Sequence, residues 1–199
     1  MKIGLLGVLK LIGFICLLPV VIAVTGAFSG EIAKLGSLAD LFWYGVIAYV
    51  LFHLFVFTPQ GLYHFFQGII AEIFGFSTIL NAILPDVIPF LTTVLLLVVY
   101  VAVNLMNLKG WEAALMFFTG FSLSMHVVLT AQDEYEEDET HLKGHYLFHA
   151  GLMYITVLAL VMALMHLCFE SSTFIDFWNK AYETSGAIYR FVLHKLRVI

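Results

Sequence analysis

Five stretches without a formally charged residue dominate the chain: Leu11 to Gly30, Leu41 to Ala71, Val87 to Leu108, Ala113 to Gln132 and Gly144 to Phe169. Each reaches the roughly 20 residues that a helix needs to cross a hydrocarbon core about 30 Å thick. Of the 199 residues, 62% are hydrophobic and only 12% charged, against roughly 25% charged in an ordinary soluble domain. The expected fold is all-α: a polytopic integral membrane bundle of about six transmembrane helices, with both termini cytoplasmic.

The connections between these runs are too short to hold a soluble domain of the usual 50 residues or more. Chemistry is therefore expected in the bundle, in its loops or on a partner. No basic tract points to nucleic acid. Cys16 and Cys168 are too few for a disulfide framework and read as apolar fillers near the cytoplasmic face. The basic start and apolar run at Met1-Lys2-Ile3 resemble a signal peptide, but only Ala23 to Ala27 is a weak cleavage candidate, so the segment reads as an uncleaved first span.

Expected boundaries are Leu5 to Thr25, Leu41 to Phe57, Leu62 to Leu84, Val87 to Met106, Glu112 to Thr130 and Leu142 to Phe169. Thr58-Pro59-Gln60-Gly61 is a turn signal that divides the second span from the third, and Pro85-Asp86 with Pro89 breaks the chain before the fourth. Leu62 to Leu84 carries Glu72 near its middle; it can cross, dip in and return, or lie on the surface. If it crosses, Lys2, Lys10, Lys109, Lys180, Arg190, Lys195 and Arg197 lie inside and only Lys34 and Lys143 outside, so the positive-inside rule favours six spans. Trp43, Trp111 and Trp178 fall at span ends, the headgroup position that amphipathic rings prefer.

Residues 1–182 are expected as the bundle and 183–199 as an amphipathic helix. In the latter, Ile188, Phe191, Val192, Leu196 and Ile199 recur at helical spacing opposite Arg190, His194 and Arg197, a pattern suited to anionic lipid or to a partner. The loop over 131–141 is expected on the outer face. Its run from Asp133 to Glu139 packs six carboxylates into seven residues and will be hydrated or paired with cations or a basic partner. It lacks the alternating ligands and turn glycine of a calcium loop.

The eight histidines are the main chemical clue. His141, His145 and His149 are spaced by four and climb one helical face beside the acidic run. With His126 from the preceding span and Asp133 or Glu134 as oxygen donor, His145 and His149 form a candidate site for a divalent metal. The competing reading has these side chains hydrogen-bonding between helices or at the headgroups. Haem b is a further candidate, since imidazoles from two helices can share one iron. His53 could face His166 and His126 could face His149, although His149 and His166 point about 100° apart and stand about 25 Å apart along one helix.

Glu72 shares a helical face with His64 and Gly68, and with Asn81 beyond could begin a proton path; on a surface or re-entrant helix it would meet water instead. Ser122, four residues before His126, shows neither a base within reach nor an oxyanion hole and reads as a packing residue.

The expected function is a multipass membrane subunit of a larger complex, in contact with the lipid bilayer and other membrane subunits, supporting transport or force transmission. The expected setting is a bacterial or archaeal plasma membrane. The alternatives are a metal- or haem-dependent membrane enzyme or electron-transfer subunit built on His126, His145 and His149, and a proton-coupled carrier using Glu72.

Overall fold

The computed structural model describes residues 5–56, 59–106, 110–137, 143–169 and 171–195, all helix and connections with no strand among them. Among the described residues eight α-helices follow in order: α1 (Leu5–Ala33), α2 (Ser37–Phe55), α3 (Gln60–Ile73), α4 (Thr78–Val87), α5 (Phe90–Tyr100, closed by a π-helical turn over Val101–Leu105), α6 (Glu112–Glu137), α7 (Gly144–Cys168) and α8 (Phe174–Lys195). Four of them, α1, α2, α6 and α7, are long and apolar enough to cross a membrane, and α4 with α5 gives a fifth if that bent pair is one span.

The bundle has two ends: the near end, where α1 begins, and the far end, where α1 turns into α2. That turn closes on Gly36, whose φ of 62° is a left-handed value that suits glycine. α6 runs parallel to α2: Phe42 meets Gly120, while Tyr49 packs on Phe121 and clusters with Met125 and Leu129. At both crossing glycines a Cβ would collide with backbone, that of Phe117 at Gly45 and that of Phe42 at Gly120. α7 runs parallel to α1, with Gly144 against the backbone of Gly7 and Tyr154 hydrogen-bonded to Thr25 at 3.0 Å. The core joins Val24, Phe28, Phe42, Leu96, Met116 and Met162, all buried.

The expected continuous helix over Leu62 to Leu84 is broken. α3 ends at Ile73, the chain turns through Phe74-Gly75-Phe76, and Ser77 caps α4 by accepting from the Leu80 N–H. The two pieces pack on each other as a hairpin, with the Gln67 amide donating to Asp86 at 2.8 Å. The segment returns to the level it left, which reverses, relative to the start of α1, the expected direction of α5, α6 and α7. The end of α6 and the start of α7, on either side of the acidic run, therefore stand at the same end as the start of α1, not at the opposite one. The Lys10 ammonium donates to His145 Nδ1 at 2.6 Å.

The acidic run also departs from a pure loop, since α6 continues as helix to Glu137; residues 138–142 lie outside the described residues. The C-terminal helix starts at Phe174 and passes unbroken through residues 182 and 183. It turns back along α1, with Asp176 beside Lys34 at 3.3 Å and the Tyr189 hydroxyl donating to the Cys16 carbonyl. A buried carboxylate anchors it. Glu31, 2% exposed, pairs with Lys34 at 2.7 Å and accepts from the Thr173 N–H at 3.1 Å. Its hydrogen bond raises the Lys34 pKa above the ordinary 10.5. All three tryptophans gather at the far end, at the starts of α2, α6 and α8.

Candidate functional site

Polar side chains concentrate at the near end, where α3, α4, α6 and α7 meet. Tyr63 is buried because α3 turns it onto α6. Its hydroxyl shares a 2.8 Å hydrogen bond with that of Thr130 and accepts from the Gln67 amide at 2.6 Å. Burial pushes the Tyr63 phenol above its ordinary range, which keeps it protonated and able to donate. The same Gln67 nitrogen reaches the Asp86 carboxylate, and Gln67 Oε1 stands 3.1 Å from His64 Nδ1. A chain of contacts thus leads from exposed His64 to the buried Tyr63 and Thr130 pair.

His126, on the buried side of α6, donates from Nε2 to the Asp86 carbonyl at 2.8 Å and packs its ring on Tyr63. A neutral imidazole donating there leaves Nδ1 as its acceptor. His126 and Thr130 also border a cavity of about 230 Å³ between α1, α6 and α7, walled mainly by Phe14, Leu147, Met153 and Val157.

The structure does not gather the four expected metal ligands. His126 is held by Asp86, His149 donates to Glu134 at 2.6 Å, His145 accepts from Lys10, and Asp133 stands 3.9 Å from His64. Only the rings of His145 and His149 adjoin, stacked with centroids 5.7 Å apart. Among the described residues no three of His, Cys, Asp and Glu stand close enough to hold one metal ion; His141 lies outside them.

Nor are the expected haem pairs assembled. His53 is near the end of α2, at the near end of the bundle, beside Tyr49. His166 is at the far end and donates to the Ser172 carbonyl at 2.9 Å. Glu72 and His64 are both exposed on α3, two helical turns apart, and Asn81 is exposed on α4. Ser122 is buried and bonded to the Thr92 hydroxyl at 2.9 Å, as a packing residue would be.

Tyr63, Gln67, Asp86 and Thr130 were not singled out by sequence reasoning. Tyrosine, glutamine and threonine carry no formal charge and are inconspicuous in an apolar run, while Asp86 read only as part of a chain break. No family model matches the chain, and comparison with curated proteins and with solved structures finds no match.

Proposed function

We propose that the chain is a multipass membrane subunit of a larger complex supporting transport or force transmission, in a bacterial or archaeal plasma membrane. The observation that carries this reading is the outward face of α8. Glu183, Arg190 and His194 recur at helical spacing on its exposed side, beyond Asp176 and Lys180, which reach α1 at Lys34 and Gly30, while Phe177 and Ala181 are buried on another side. Yet α8 is laid along membrane-crossing α1. Its contacts at Asp176 and Tyr189 lie roughly 20 Å apart along its axis, a large share of the hydrocarbon thickness. A charged side chain facing lipid at the bilayer centre costs at least about 2.5–3.5 kcal/mol. Cover by another protein chain removes that cost.

In this reading α8 is the sixth helix through the bilayer thickness, after α1, α2, α5 with its π-helical turn, α6 and α7, and both termini are at the near end. Among the described basic residues, Lys10, Lys143, Arg190 and Lys195 lie toward that end and Lys34 and Lys180 toward the other. The positive-inside rule then assigns the near end to the cytoplasm.

The test is native mass spectrometry of the protein extracted gently from its own membrane into nanodiscs. The expected particle carries other chains in fixed ratio, and Glu183→Lys with Arg190→Glu strips them while leaving thermal unfolding of this chain unchanged. A particle of this chain alone, indifferent to both reversals, contradicts the reading. So does one metal or one haem per chain, lost together with His126, His145 or His149.

A further inference from the structure

The α3 and α4 hairpin has three differently composed sides. Tyr63, Gln67 and Ile70 face the bundle. His64, Gly68 and Glu72 form an exposed polar stripe. Leu62, Phe65 and Ile73 form an exposed apolar stripe, at 47%, 62% and 56% exposure. The apolar stripe continues around the tip at Phe76, 81% exposed, and onto Ile79 and Ile83 of α4. Two parallel stripes, one apolar and one hydrated, are the mark of a helix lying in a membrane interface.

The depth of the hairpin is fixed independently. Its base is tied to α6 through Tyr63 and Thr130 and through the approach of His64 to Asp133. That is where α6 passes from Leu129-Thr130-Ala131 to Gln132-Asp133-Glu134, from a sequence suited to hydrocarbon to one that needs water. The base is therefore at headgroup level. α4 meets α5 at 70°, so it leaves the direction of the crossing helices. Leu54, Phe55 and Val56, at the end of α2 that precedes the hairpin, are exposed as well.

We infer that the α3 and α4 hairpin is an in-plane anchor that sinks Leu62, Ile73, Phe76 and Ile79 into the acyl chains of the near-end leaflet and holds Glu72 among the headgroups. The occupant of the apolar stripe is phospholipid. This explains how an apolar segment carries a carboxylate without a partner helix to neutralise it, and it goes beyond the subunit reading, which rests on α8.

The experiment is power-saturation electron paramagnetic resonance on the full chain in phospholipid nanodiscs, with Cys16→Ser and Cys168→Ser and a spin label on Phe76→Cys or Glu72→Cys. A label at 76 should relax severalfold more strongly with oxygen than with a water-soluble nickel chelate, and a label at 72 should show the reverse. Label 79, on Ile79→Cys, substitutes if Phe76→Cys does not fold. Nickel access at both 76 and 72 would mean a hairpin projecting into water and overturn the inference. Shielding of 76 from both reagents would mean a protein partner on the stripe, and oxygen preference at 72 would mean a hairpin dipping through the bilayer; either overturns it too.

Discussion

Lys10, in the second turn of α1, donates to His145 in the first turn of α7, 135 residues away in sequence. That contact fixes the beginnings of two parallel helices at one end of the bundle. It allows only an even number of crossings between them, counted through α1 to α6. An apolar segment that turns back at Phe74 to Phe76 satisfies that parity, and one that crosses does not.

The glycine crossing of α2 and α6 should tolerate no side chain. Gly45→Ala and Gly120→Ala each force one backbone off another and should destabilise by at least about 1–3 kcal/mol, the usual overpacking cost. Gly26→Ala, with open space around its Cβ, should be near neutral. Thermal unfolding of the three variants in one detergent gives the comparison.

Removing the Glu31 carboxylate should free α8. Glu31→Ala leaves the Thr173 N–H without its acceptor, a loss of about 1–3 kcal/mol. Hydrogen exchange should show α8 opening before α6. Because Glu31 raises the Lys34 pKa in the folded chain, the ion pair's contribution is complete below 10.5 and is lost as pH rises beyond it. Protection of α8 should thus be level through neutral pH and fall only in strong alkali.

His126 and His149 should behave as separate pairings. The partner of His149, Glu134, stands about 12 Å further along α6 than His126. Stability losses of His126→Ala and His149→Ala should then add within about 0.5 kcal/mol, whereas two ligands of one metal would couple strongly. A double-mutant cycle by chemical unfolding decides between them.

Tyr63→Phe removes one hydroxyl from two hydrogen bonds, to Thr130 and from Gln67, and should cost about 1–2 kcal/mol. Thr130→Val in the same background should add less than it does alone, because the shared bond is already gone. Unfolding of the two single variants and the double variant measures the difference.

The long helices were legible because hydrocarbon allows few charges, and α1, α2, α6 and α7 all fall on charge-free runs. The break after Ile73 was not, because its turn is made of phenylalanines around Gly75 and reads as apolar as a span. Ser77 followed by Thr78 was the one local sign of a helix start. The charge bias was read with Arg190 and Lys195 beside the end of α7, whereas α8 carries them back along α1. The histidine spacing of four did place His145 and His149 side by side. What each imidazole bonds to depends on residues far away in sequence, and spacing along one helix says nothing of them.

Sidedness of Ser37 and Glu136 tests the fold most directly. Both are exposed, one at the start of α2 and the other near the end of α6. With Cys16→Ser and Cys168→Ser, the variants Ser37→Cys and Glu136→Cys are labelled by a membrane-impermeant maleimide in sealed vesicles of known orientation. The account predicts labelling from opposite faces, since the two residues stand at opposite ends of the bundle. Labelling of both from the same face would mean that residues 62–84 cross the membrane, and would contradict it.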